Sequence, residues 1–248
     1  RCLVIGEDLG TVAPEVREAL ARFDVLSYRL LFFEREGDGA FKPAAAYPAQ
    51  ALAAVSTHDL PTLAGWWTGE DLRLRLQLGL ISDEAQLEQQ LLDRARHRVQ
   101  LLLAVRHAGL MSAEDIAQAT AEPQPSPRTV EAVHAFLAEA PSLLMMVQLE
   151  DVLGVVEQAN MPGTTSEQPN WQRKLPADLQ ALAASDAMES LARTLARLRP
   201  RASLASAQHA SMQARIPRAT YRLQFNAGFT AAELAIAIRD LAVVLRDH

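Results

Sequence analysis

The chain has 248 residues, is 49% hydrophobic and 22% charged, and carries a formal net charge of -6. That balance supports an ordinary globular core and argues against a partner that is a nucleic acid or an anionic membrane. The single cysteine, Cys2, excludes an internal disulfide framework and fits a reducing compartment, so a cytoplasmic location is expected.

No apolar run approaches the roughly 20 residues that a membrane span needs. No signal-peptide pattern opens the chain. The sequence begins without an initiator methionine and inside a strand-like run. A fragment whose N-terminal part is missing is therefore expected.

The first element is Leu3-Val4-Ile5-Gly6-Glu7-Asp8-Leu9-Gly10, an apolar run ending in two carboxylates and a glycine. Runs of this kind read as buried strands of a parallel sheet. Carboxylates at the C-terminal end of such a strand sit where α/β barrels do their chemistry. Capping or solvating the turn is the alternative role for Glu7 and Asp8. Pro14 then opens a helix with Val16, Ala19, Leu20 and Phe23 at helical spacing.

A second strand is expected over 25–34, ending in Glu34, followed by a loop broken by Gly37, Gly39, Pro43 and Pro48. A third covers 51–57 and runs into His58-Asp59-Leu60-Pro61. Residues 63–110 read as mostly helical. Ser82 is the expected N-cap of a helix with Leu87, Leu91, Ala95, Val99 and Leu102 as one apolar stripe, stopped at Gly109. Ser112 and Asp115 form a capping box. Pro123, Pro125 and Pro127 make a connector, and a helix follows over 128–139.

A fourth strand, Leu143 to Leu149, ends in Glu150 and Asp151. An irregular stretch holds Asn160-Met161-Pro162-Gly163-Thr164 and Asn170-Trp171. Ser185 opens a helix that ends at Pro200. Residues 200–215, rich in Ala, Ser and Gln, read as a linker. Residues 216–248 then read as a strand and an amphipathic helix. Every charged residue from Arg193 to Arg222 is arginine, which reads as a solvated helix end and linker rather than a nucleic-acid surface in this acidic chain.

Four strand-then-helix units match half of an α/β barrel, a full one needing eight. Trp66 and Trp67 could stack on sugars but fit a core better. Glu34, Glu150 and Asp151 fit structural roles. The scattered histidines show no metal-ligand spacing, and no cofactor is indicated.

Three blocks carry a resemblance. Ile5 to Val12, then Ser56 to Leu63 with Gly65-Trp66-Trp67, then Asn160 to Thr164 with Asn170-Trp171, resemble the 4-alpha-glucanotransferases, or amylomaltases, of the alpha-amylase superfamily. The likeness runs from Arg1 to about Pro200. It implies the C-terminal half of a (β/α)8 barrel, strands five to eight, over residues 1–199. It also implies transfer of alpha-1,4-glucan segments between maltooligosaccharides.

By the resemblance, Glu7 matches the general acid/base and Asp59 the carboxylate that stabilises the transition state. His58 matches a substrate-hydroxyl ligand. Asn160, Pro162 and Gly163 match an active-site wall. Retaining glycoside chemistry needs a carboxylic acid and a nucleophilic carboxylate about 5–5.5 Å apart. The acid must hold its proton near neutral pH, through burial or a neighbouring negative charge, and Glu7 is expected at the end of a buried strand.

The family's nucleophilic aspartate, in an Arg-x-Asp-His block, is absent from these residues and is expected before Arg1. The isolated chain is therefore expected to be inactive. A non-catalytic, glucan-binding or scaffold half-barrel is the alternative. The tail, Ile216 to Thr230, resembles the opening of maltooligosyl trehalose synthases, which implies a first strand and helix of a second, truncated barrel over 216–248.

Overall fold

A computed structural model describes residues 3–200. Cys2, all but the first residue of the expected linker, and the expected second barrel over 216–248 lie outside the described residues.

The architecture is α/β. Strands β1 (Ile5–Gly6), β2 (Leu26–Leu30), β3 (Ala51–Ala54) and β4 (Leu144–Met146) form one parallel sheet in sequential order. The register pairs Gly6 with Ser27, Tyr28 with Leu52, and Leu52 with Leu144. Parallel neighbours in chain order need a crossover between each pair, which is the build of a barrel arc. Helix α1 (Pro14–Arg22) joins β1 to β2, with its proline in the first turn. Between β2 and β3 the chain makes only one 3₁₀ turn, Ala44–Ala46.

Strand β3 lies inside the sheet, and all four of its residues are buried. Its alanines leave room for neighbours on both faces. Among the described residues β1 pairs with β2 alone, and Val4 and Ile5 are 47% and 40% exposed, so these residues of the expected buried strand are exposed.

The helical excursion between β3 and β4 comprises α2 (Leu63–Thr68), α3 (Glu70–Gln77), α4 (Glu84–His107), α5 (Ala113–Ala121) and α6 (Pro127–Ala138). It builds the main core with Leu31, Leu63, Trp67, Leu101, Val105, Val133 and Phe136. Trp66 stacks on Phe32 with centroids 4.9 Å apart, so both tryptophans of the pair are core. The expected stripe on α4 fails at Ala95 and Val99, which face solvent. Two arginines turn inward instead. Arg94 makes a paired contact with Asp71 at 2.8 and 2.9 Å, and Arg98 lies over the Trp67 ring at 4.4 Å.

The capping box of Ser112 and Asp115 forms, Ser185 caps the last helix, and Gly109 takes the left-handed φ of 74° that ends α4. Asp83, not Ser82, caps α4, accepting from the Gln86 N–H at 2.8 Å. Pro127 is not connector but the first residue of α6, after an Ser126 cap. β4 stops at Met146, and Glu150 and Asp151 fall in the short helix α7 (Leu149–Val152). Helix α8 (Leu179–Ala183) precedes α9 (Asp186–Leu198). Ser190 and Thr194 of α9 both donate to Glu131 of α6, and Arg199 donates to the carbonyls of Ala138, Ala140, Ser142 and Leu143. These bonds close the last helix against the crossover into β4.

Candidate active site

Beyond Ala54 the chain stays buried through Val55, Ser56 and Thr57, then surfaces abruptly. Ser56 donates to the Pro61 carbonyl at 2.7 Å, and the Thr57 hydroxyl accepts the Asp59 N–H at 3.2 Å. This tight turn holds His58 and Asp59 outward at the C-terminal end of β3. Their side chains are 51% and 42% exposed, and His58 Nε2 lies 3.4 Å from Asp59 Oδ1.

The loop after α7 meets this turn. Asn160 Nδ2 donates to Asp59 Oδ1 at 2.7 Å, and its backbone N–H donates to the His58 carbonyl at 3.1 Å. One residue therefore fixes both the side chain and the backbone of the pair. Thr62 reinforces the contact by donating to the Val155 carbonyl at 2.6 Å. Gly65 permits it, because a Cβ there would sit 2.3 Å from the Val156 carbonyl oxygen.

Met161 to Thr164 forms a type II turn: Pro162 precedes Gly163, whose φ is 87°, and the Thr164 N–H donates to the Met161 carbonyl. Pro162 and Gly163 are exposed on this turn. Asn170 laces the loop, accepting from the Met161 N–H at 2.9 Å and donating to the Thr164 hydroxyl at 2.8 Å. Trp171 follows with a φ of 61°, its N–H bonded to the Ala159 carbonyl at 3.0 Å. Its indole is 63% exposed and tilted against the His58 ring, with centroids 5.0 Å apart. Trp171 belongs to the third block of the resemblance but is not among the site residues that the resemblance assigns.

Glu7 leaves β1 one residue past Gly6, at the same end of the sheet as Asp59. β2 lies between them, so their strand axes are roughly 10 Å apart by two interstrand steps. Burial, and then the charge of Glu7, push the Tyr28 phenol above its ordinary pKa. Glu7 itself is solvent-exposed. The buried surroundings expected for a proton donor are therefore not built by residues 3–200, because β1 has no described neighbour on its outer side.

Asp8, by contrast, is 4% exposed and serves the scaffold. It accepts from the Ser27 hydroxyl at 2.5 Å and the Tyr28 N–H at 2.7 Å, and Arg17 and Arg29 flank it at 3.4 and 3.5 Å. These bonds lock the Glu7 turn onto β2. A cleft of about 260 Å³ opens beside it, walled by Arg17, Tyr28, Arg29 and Lys42. Glu34 has the structural role expected, bound by Lys42 at 2.8 Å and Arg29 at 3.5 Å. Among the described residues no acidic, histidine and cysteine cluster could hold a metal ion.

Two carboxylates and an imidazole thus crown one end of a parallel sheet, which suits binding of polyhydroxy ligands and charge stabilisation. The family model described as 4-alpha-glucanotransferase matches residues 1–180, which include this whole cluster. The chain belongs to that family, glycoside hydrolase family 77.

Glucanotransferases from two organisms show the same relationship. The protein from Haemophilus influenzae is 35% identical over 189 residues, covering 76% of this chain and 27% of the relative. The protein from Mycobacterium bovis is 40% identical over 176 residues, covering 68% and 23%. The chain thus spans about a quarter of the length of these relatives. Among solved structures, an amylomaltase from Corynebacterium glutamicum superimposes with a TM-score of 0.69 at 28% identity, over 78% of this chain and 28% of that one. An amylomaltase from Streptococcus agalactiae in complex with acarbose shares the fold, at a TM-score of 0.50 and 17% identity, over 77% and 30%. Among the described residues the family's fold is a partial barrel of four strands. Among the described residues no helix is long and apolar enough to cross a membrane.

Proposed function

We propose that this chain is the part of a 4-alpha-glucanotransferase that supplies the proton donor and the transition-state carboxylate. It moves alpha-1,4-glucan segments between maltooligosaccharides by a retaining double displacement. The observation that carries this reading is the Asn160–Asp59 hydrogen bond at the sheet end that Glu7 shares, within residues matched by the family.

Glu7 protonates the leaving glycosidic oxygen and later takes a proton from the acceptor hydroxyl. Asp59, held by Asn160, stabilises the oxocarbenium-like charge, and His58 binds a sugar hydroxyl. Pro162 and Gly163 shape the wall that confines the glucan. The nucleophile belongs to an Arg-x-Asp-His block outside these 248 residues, which also completes the surroundings of Glu7. The single cysteine supports a cytoplasmic setting. Residues 1–199 read as barrel strands five to eight, and the sequence of 216–248 supports fusion to a maltooligosyl trehalose synthase domain.

Incubating the full-length protein with maltotriose tests the reading. Glucose and maltopentaose are the expected products. A protein that leaves maltotriose unchanged while other alpha-1,4-glucans are also untouched contradicts it and favours the non-catalytic half-barrel, a reading that the lack of a nucleophile block in these residues supports.

A further inference from the structure

Trp171 is unusual in three independent ways. Its indole is 63% exposed, whereas Trp66 and Trp67 are 5% and 1% exposed. Its φ of 61° lies in the left-handed region, a sparsely populated conformation for a bulky side chain. It leans on His58, which lies 3.4 Å from Asp59.

The loop imposes this conformation on the residue. The Ala159 carbonyl accepts the Trp171 N–H, and Asn170 is tied to both Met161 and Thr164. Strained residues persist where surrounding bonds over-determine them, and they gather at ligand sites. Burying the indole would satisfy its hydrophobicity, yet these bonds hold it in water beside the ionisable pair. An aromatic face held open next to hydroxyl-binding groups suits a ligand with both an apolar face and polar edges. A pyranose ring has that pattern: axial C–H bonds on its faces and hydroxyls around its rim. Its polarised C–H bonds meet the negative face of the indole.

We propose that Trp171 is a stacking platform for the glucosyl unit bound beside His58, fixing where the glucan chain enters the site. The proposal rests on the glucan reading above and adds a contact residue to it. While His58 takes hydroxyls at the ring edge, Trp171 covers the ring face, so the two side chains read different parts of one sugar.

Titration calorimetry of the full-length protein with maltoheptaose tests the platform. Trp171→Gly removes the ring while suiting a positive φ, so the loop keeps its course. Trp171→Phe restores an aromatic face. Trp171→Gly is expected to raise Kd about tenfold, the effect of truncating a contact aromatic worth about 1.4 kcal/mol. Trp171→Phe is expected to stay within about threefold of the unsubstituted protein. An unchanged Kd in Trp171→Gly overturns the platform and leaves the glucan reading standing. Equal weakening in both variants also overturns it, since it assigns Trp171 to holding the loop. Failure of the unsubstituted protein to bind maltoheptaose overturns the glucan reading and the platform with it.

Discussion

Asn160 donates its side-chain amide to Asp59 Oδ1 at 2.7 Å while its backbone N–H holds the His58 carbonyl at 3.1 Å. A loop far along the chain thereby sets the orientation of the carboxylate at the end of β3. Asn160→Ala frees Asp59 to rotate. A hydrogen bond to a charged group is worth about 1.5–3 kcal/mol, so kcat for maltotriose in the full-length protein is expected to fall about tenfold to a hundredfold. Steady-state kinetics with the thermal midpoint measured alongside check this. Unchanged kcat would show that Asp59 needs no such anchor.

Gly65 controls the distance between α2 and the same loop. A methyl group at this position meets the Val156 carbonyl oxygen at 2.3 Å, and backbone cannot yield cheaply. Gly65→Ala is expected to destabilise the protein by about 1–3 kcal/mol, the usual cost of overpacking. Gly37→Ala is the matched control, because nothing lies within 4 Å of its Cβ position. Urea unfolding of the two variants should separate them clearly, and equal stability would contradict the close approach.

His134 and Asp151 form a fully buried pair, with His134 Nε2 lying 3.7 Å from Asp151 Oδ2. That spacing resembles an ion pair, yet neither atom has a hydrogen-bond partner, and burial drives both groups neutral. Burial pushes Asp151 up to about 7, opposed by the Leu63 N–H at 2.7 Å and assisted by the charge of Glu150. Burial also lowers His134, although its bond to the Val130 carbonyl works the other way. A carboxyl raised in the folded state contributes stability fully below its unfolded value of 3.8, lost as pH rises through about 7. Asp151→Asn keeps the Leu63 bond and removes the titration. The melting temperature of Asp151→Asn relative to the unsubstituted protein should therefore climb between pH 4 and pH 8 (about the window set by the shift). A flat difference would show that Asp151 is ionised in the fold.

The isolated 248-residue chain is expected to leave maltotriose intact, because a double displacement needs a nucleophilic carboxylate and these residues hold no Arg-x-Asp-His block. Chromatography of the reaction mixture decides the matter. Glucose and maltopentaose formed by the isolated chain would place the nucleophile within it.

The parts legible in the sequence are those fixed by local pattern. The apolar run ending at Thr57 announces both β3 and the outward His58-Asp59 turn, and Ser112 with Asp115 announces a cap. Pattern fails where neighbours decide. Leu143 to Leu149 is apolar throughout, and periodicity alone cannot say that the strand ends at Met146 and a helix starts at Leu149. Ala95 and Val99 fit a buried stripe, but Asp71 and the Trp67 ring draw Arg94 and Arg98 to that side of α4. Glu7 follows an apolar strand, yet strand burial depends on what pairs with its outer edge. The aromatic signal at Trp66-Trp67 is stronger than at Trp171, and only tertiary packing shows that the pair is core and Trp171 open.

The role of Glu7 is tested most directly by Glu7→Gln in the full-length protein, assayed on two donors. Maltotriose needs its leaving oxygen protonated, whereas alpha-maltotriosyl fluoride carries a leaving group that departs without an acid. Loss of a general acid costs about 10²–10⁴-fold. The expected result is a loss of that size with maltotriose, with the first-turnover burst of fluoride release from the fluoride donor kept within about tenfold of the unsubstituted protein, because only the later resolution of the glycosyl-enzyme again calls on Glu7. Equal losses on both donors, or no loss on either, would contradict the assignment of Glu7 as proton donor.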